Sequence, residues 1–202
     1  DKKKVYMSTA SRFFNAGDYR RALLAYERAI SINPDDEVLW NNKGVVLDRM
    51  NRHEEALVCY DRALQIDPNY YIAWYNKGNS LYLMDRFDEA IVCYERVLEI
   101  NPEYDAAIQD LAGIYIQMGK IRKGIKITRR IKRDNPERWA GYAQIMNLVG
   151  RTRDALRAIN RALAMDEKNA QYWVIKGNIL FNMEQFDESM KCYDKAIEIN
   201  GK

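Results

Sequence analysis

Three cysteines and a single histidine are the side chains of this 202-residue chain best suited to redox or soft-metal chemistry. Their spacing argues against both uses. Cys59, Cys93 and Cys192 each directly precede a tyrosine (Tyr60, Tyr94 and Tyr193), so they share one recurring position and form no cluster. Equivalent positions on neighbouring packed helices sit ~8–10 Å apart, whereas a disulfide needs Cα atoms within ~7 Å. Free thiols of this kind suit a reducing compartment. His53 follows Asn51-Arg52 in a turn and aligns with Tyr19, Phe87 and Phe186, which predicts that it replaces a packing aromatic. No Ser–His–Asp set, glycine-rich phosphate loop or metal-ligand spacing occurs in the sequence. Acids fall at helix starts and solvent positions, where they cap and solvate. The expectation is a non-enzymatic chain with no cofactor and no metal.

Charge offers a second chemistry. The net charge of +3 is mild, yet residues 120–138 hold nine Lys or Arg against only Asp134 and Glu137. Arg122, Lys126, Arg129, Arg130 and Arg133 recur at helical spacing, followed by Arg153, Arg157 and Arg161. The same places one repeat earlier read Asp88, Val92, Glu95, Arg96 and Glu99. Such a stripe could meet an acidic protein, a membrane surface or a polyanion such as nucleic acid. Nucleic acid is the weaker option, because no aromatic lies between Lys120 and Arg133 to stack on bases.

These side chains must be positioned by helices. Glycine and proline number 10 and 4, well below the ~12% of an average protein. Ala22, Ala56, Ala90 and Gly124 fall at equal intervals of 34 residues, Ala155 follows after 31, and Ser189 after 34 again. Six units result, at about 3–36, 37–70, 71–104, 105–135, 136–169 and 170–202. In each, a large residue near the start (Tyr6, Trp40, Trp74, Ile108, Trp139, Trp173) is followed four residues later by a small one. Twelve residues beyond comes a second small position, so that Gly44 is expected to meet Ala56, Gly78 Ala90 and Gly177 Ser189 at helix crossings. Asn33-Pro34, Asp67-Pro68, Asn101-Pro102 and Asn135-Pro136 stop one helix and lead into the next. After the 31-residue interval, Asn135 is predicted to cap a helix with Pro136 first inside it, with a local change of twist.

The longest uncharged stretch, Trp139 to Gly150, is twelve residues, short of the ~20 a membrane span needs. The basic opening has no apolar run behind it, so no secretory signal is expected and the default compartment is the cytoplasm.

The pattern resembles the tetratricopeptide repeat, W-x2-L-G-x2-Y, then A-x3-F, then P on a 34-residue period. Trp40, Gly44, Ala56, Tyr60, Ala63 and Pro68 carry it in one unit, and Trp74, Gly78, Ala90, Tyr94 and Pro102 in the next. Lysine replaces the leucine at Lys43, Lys77 and Lys176, a variant similar to archaeal arrays. The resemblance implies one all-α domain over 1–202: a right-handed α-solenoid, or superhelix, of six helix-turn-helix units with about twelve antiparallel helices. It also implies a protein–protein interaction scaffold, with a peptide or helix bound in a concave groove lined by first helices. The family's inward positions fall here on Asn41, Asn42, Val45, Asp48 and Arg49, on Ile72, Tyr75, Asn76, Asn79 and Tyr82, and on Gln109. Asparagine there would bond a peptide backbone, and tyrosine would add rigid apolar contact. The family's Lys/Arg clamp for a terminal carboxylate is absent, its positions holding Met7, Ser11, Asn42, Ile72 and Asn76. The sixth unit shows no polar capping helix after it, so its outer face is expected to continue a longer array or to self-associate.

Overall fold

A computed structural model describes residues 2–130 and 134–201. Among the described residues it contains twelve α-helices and no strand, paired as hairpins. The chain divides into two compact units, residues 1–102 and 103–202. The first holds α1 (Lys2–Asn15) with α2 (Tyr19–Ile32), α3 (Glu37–Arg49) with α4 (His53–Ile66), and α5 (Tyr71–Leu83) with α6 (Phe87–Ile100). The second holds α7 (Asp105–Gln117) with α8 (Ile121–Thr128), α9 (Pro136–Leu148) with α10 (Thr152–Met165), and α11 (Ala170–Asn182) with α12 (Phe186–Asn200). Each unit is thus an all-α stack of helical-hairpin repeats.

Local chemistry sets the helix limits. Asp36 accepts from the N–H groups of Val38 and Leu39, and Asn135 accepts from that of Arg138 with Pro136 just inside the helix, as expected. Each hairpin turns through one residue in the left-handed region. Glycine fills it at Gly17, Gly119 and Gly150, where no Cβ penalty arises. Asn51, Asp85 and Glu184 fill it elsewhere, at φ near 60°.

At three crossings a tyrosine ring, and not the expected small partner, lies nearest the glycine. A Cβ on Gly44 would fall 2.6 Å from the ring of Tyr60, sixteen residues on, and Gly78 and Gly177 face Tyr94 and Tyr193 in the same way. Glycine in these hairpins makes room for a tyrosine ring. The expected partner contributes at Gly177, whose carbonyl accepts from Ser189 Oγ at 2.9 Å. In the hairpin of α7 and α8 the tyrosine is replaced by buried Thr128, and the glycine moves to Gly124, close against the Ala112 carbonyl.

Tryptophan and the recurring lysine tie one hairpin to the next. The Trp40 indole donates to the Pro34 carbonyl at 2.7 Å, Trp74 to that of Pro68 at 3.0 Å and Trp173 to that of Glu167 at 2.8 Å. Lys43 lies over the Trp40 ring and reaches Glu27 of the preceding helix at 3.0 Å. Lys77 lies over Trp74 and reaches Asp61 at 2.6 Å. Lysine in place of leucine therefore keeps its stem on the ring and its charge at the surface.

Candidate functional site

The groove of residues 1–102 is built on an internal polar cluster. Asp48, near the end of α3, accepts from His53 Nδ1 at 2.9 Å and from Tyr60 Oη at 2.6 Å, both on α4. It also accepts from Ser80 Oγ of α5 at 2.6 Å. A carboxylate only accepts, so Nδ1 of His53 carries the proton. Burial, with Asp48 alongside, pushes the Tyr60 hydroxyl far above its ordinary range. A cleft of about 450 Å³ opens over this cluster, with Asn76 and Asn79 in its lining and Arg49 beside it.

His53 therefore does more than replace a packing aromatic. The residue pair at Asp48 and His53 is Phe14 and Tyr19 in the first hairpin, with ring centroids 5.6 Å apart. It is Tyr82 and Phe87 in the third, at 5.5 Å, and Phe181 and Phe186 in the sixth, at 5.3 Å. In the second hairpin both members change together, and a hydrogen bond replaces the ring contact. Ser80 changes with them: buried Val46, Ile114, Ile145 and Ile179 occupy its place in sister repeats. Reading one position at a time misses the cluster; comparing the three positions across repeats would have found it.

The groove residues fall into distinct classes. Asn41 corrects an expectation, because it is buried at 3% exposure and presents nothing to a ligand. Its Oδ1 accepts from Asn76 at 2.9 Å and its Nδ2 donates to Asn42 Oδ1 at 3.2 Å, making it a relay between α3 and α5. Asn79 accepts from the Tyr94 hydroxyl at 2.6 Å, so its Nδ2 donors are what it can turn to a ligand. Tyr75 is half-buried with its ring 5.8 Å from that of Tyr94. Tyr82, packed on Phe87, and Arg49 are exposed. Gln109 lies in the second unit, where its amide occupies the space beside Gly141.

The basic stripe is only partly available. Arg122, Lys126, Arg129 and Arg130 are exposed on α8 and the turn after it; Arg133 lies outside the described residues. On α10, Arg153 is exposed, Arg157 donates to Asp154 at 2.8 Å and Arg161 lies over the Trp139 ring at 5.0 Å. The eight-residue α8 compares with fourteen residues in α2, α4, α6 and α10. Cations four apart at Arg122, Lys126 and Arg130, with no acid among them, disfavour its extension.

Cys59, Cys93 and Cys192 are free and buried. Burial pushes the Cys59 and Cys93 thiols up to about 11, which keeps them protonated and unreactive at neutral pH. Among the described residues no group of three His, Cys, Asp or Glu could hold a metal ion, and no helix is long and apolar enough to cross a membrane.

The tetratricopeptide repeat matches at residues 5–36, 38–70, 71–104 and 170–202. Between them, α7 to α10 form helical hairpins of the same kind. No curated protein matches. Among solved structures, a tetratricopeptide repeat protein from Parabacteroides merdae is similar at a TM-score of 0.78 and 18% identity, covering 98% of this chain and 79% of that one. YrrB, described as having an unusual peptide-binding site, is similar at a TM-score of 0.58 and 22% identity, over 88% of this chain and 93% of that one. The first repeat domain of Spaghetti (RPAP3), bound to the HSP90 peptide SRMEEVD, is similar at a TM-score of 0.56 and 24% identity, over 58% of this chain and 94% of that one.

Proposed function

This chain belongs to the tetratricopeptide repeat family, and from that premise we propose that it is a non-enzymatic protein-interaction scaffold, taking an extended or helical peptide in the groove of residues 37–83. The observation that carries the reading is the cleft over Asp48, where Asp48 and His53 stand in place of the ring pairs of the first, third and sixth hairpins. A polar cluster that buries Tyr60 and Ser80 is a costly way to close a hairpin that rings close in the first, third and sixth, and here it forms a polar floor at an open groove. Asn79 Nδ2 and Asn42 would bond the peptide backbone, Arg49 would meet a polar or acidic group, and Tyr82 would give apolar contact. Peptide capture in two proteins of similar fold, YrrB and Spaghetti, supports this use of the surface.

Panning a displayed random peptide library against the full chain tests the reading. Recovered peptides should lose more than ~1 kcal/mol of affinity, the net worth of a hydrogen bond, on Asn42→Ala with Asn79→Ala. Peptides indifferent to this pair and to Arg49→Ala would place binding elsewhere.

A further inference from the structure

The cations of α8 work against the helix that carries them. Arg122, Lys126 and Arg129 stand four and three residues apart on one face, and all three are exposed. Among the described residues no acid pairs with any of them, and the sequence holds no Asp or Glu between Asp110 and Asp134. Other second helices open differently. Arg52, Arg86 and Arg151 donate to Glu55, Glu89 and Asp154 at 2.7 Å in the first turn, where the helix dipole favours an acid. At these two places α8 has Lys120 and Lys123. The carboxylate that holds the next hairpin's lysine is also gone. Glu27 takes Lys43 and Asp61 takes Lys77; counted along the repeat, Arg129 stands in the acid's place and Tyr142 in the lysine's. Since α9 already packs on α7 and α8, the repeat that follows is in place and leaves the stripe uncovered. Like charges four apart and cations at a helix start both cost stability. A local rule broken without internal compensation is the mark of a functional surface.

We infer that this face of α8 docks an acidic helical segment of a partner protein, with carboxylates recurring at four- and three-residue spacing opposite Arg122, Lys126 and Arg129. Two helices laid side by side share one rise per residue, so three carboxylates meet three cations in register. Ile121, 46% exposed on the flank of the stripe, takes an apolar residue of that segment. A phosphate backbone has no use for the isoleucine, and α8 carries no aromatic side chain to stack on bases. A bilayer would need a continuous apolar face, whereas Ile125 and Ile127 are half-buried against the protein. A second copy is a poor source, because Glu55, Asp61 and Glu89 already hold cations of their own stack.

The probe is an alanine-based helical peptide with glutamate at its fourth, eighth and eleventh residues and leucine at its seventh, labelled with fluorescein. Titrated with the full chain at low salt, it should show saturable anisotropy, and its affinity should fall roughly tenfold by ~150 mM salt as exposed charges are screened. The same peptide with glutamine for glutamate should not bind. Arg122→Glu with Lys126→Gln should weaken binding roughly tenfold or more. That variant should melt no lower than the parent, since it places an acid at a helix start and removes a like-charge pair. Arg20→Glu on α2, at the place of Arg122 in the first repeat, should leave the affinity unchanged, as should Asn42→Ala with Asn79→Ala in the groove. Absent binding at low salt, or binding indifferent to the α8 variant, overturns the assignment. So does a duplex DNA or a phosphatidylserine vesicle that holds the chain more tightly than the peptide does. Light scattering that shows a dimer split by the α8 variant overturns it too, since a second copy would then cover the stripe.

Discussion

The second and third hairpins close the same corner in opposite ways. Tyr82 and Phe87 meet ring to ring, with centroids 5.5 Å apart. Asp48 and His53 meet through a hydrogen bond, and the carboxylate then draws donors from two more positions, Tyr60 and Ser80. The dependence extends to the tyrosine under the crossing. Tyr94 donates to Asn79, whereas the place of Asn79 in the second hairpin is Val45, which cannot accept, and Tyr60 turns to Asp48. One polar choice at a corner thus commits three helices. The apolar corner is closed by a ring contact; the polar one is a hydrogen-bonded network, and it floors the groove.

The largest effect should come from removing the centre of that network. Asp48→Ala takes the carboxylate acceptor from the Tyr60 hydroxyl and from His53, while Ser80 keeps the Asn76 carbonyl, at a cost of about 2 kcal/mol, since a buried donor left unpaired costs ~1–3 kcal/mol by itself. The triple change Val45→Asn, Asp48→Tyr and His53→Phe rebuilds the second hairpin on the pattern of the third, the asparagine accepting from Tyr60 as Asn79 accepts from Tyr94. It should restore stability to within about 1 kcal/mol of the parent, because the buried Tyr60 hydroxyl regains an acceptor. Chemical denaturation measures both. If the single and triple variants unfold at the same denaturant concentration, the network is not what separates the two corners.

A smaller difference should separate Gly44→Ala from Gly78→Ala. Each new methyl would stand under 3 Å from a buried tyrosine ring, at 2.6 Å from Tyr60 and 2.8 Å from Tyr94. Overpacking of this kind costs ~1–3 kcal/mol, against a gain of ~1 kcal/mol for alanine over glycine in a helix. Displacing Tyr60 also disturbs Asp48, so Gly44→Ala should be the worse by about 1 kcal/mol. Gly113, with nothing within 4 Å of its Cβ position, supplies the control: Gly113→Ala should stabilise. Equal losses at Gly44 and Gly78 would confine the tyrosine's role to packing.

Periodicity made the hairpins legible, because a 34-residue recurrence of large and small residues reports helix faces directly. Asn135 with Pro136 marked its helix start for a local reason, a cap with proline inside it. What escaped was pairwise. Gly44 was matched to Ala56 by symmetry of size, but ring volume decides the crossing and Tyr60 fills it. Asn41 looked like a groove residue from its place in the repeat, yet its exposure depends on Asn76 of the next hairpin, which closes over it with a hydrogen bond. His53 read alone is an aromatic substitute; read with Asp48 and Ser80 it is part of a hydrogen-bonded cluster. Long-range partners of a polar side chain leave no mark in the spacing of its own helix.

The smallest predicted difference concerns how the two hairpins begin. The first helix of the third hairpin, α5, starts at Tyr70 without a side-chain cap, while α3 starts at Asp36, which caps it and pairs with Lys3. Burial works against the Asp36 carboxylate, but Lys3 and the N–H groups of Leu39 and Val38 outweigh it and hold the group below its ordinary value. A carboxylate depressed on folding stabilises the fold above its unfolded pKa of ~3.9 and loses that contribution as pH falls through the folded value. Asp36→Ala should therefore cost about 1 kcal/mol at pH 7, and less as the pH drops from about 4 toward 2. Asp36→Asn keeps a capping oxygen and gives up the charge, so it should lose less at neutral pH and share the flattened acid response. An Asp36→Ala penalty that stays constant across that range would mean the cap acts through hydrogen-bond geometry alone, with Lys3 contributing nothing.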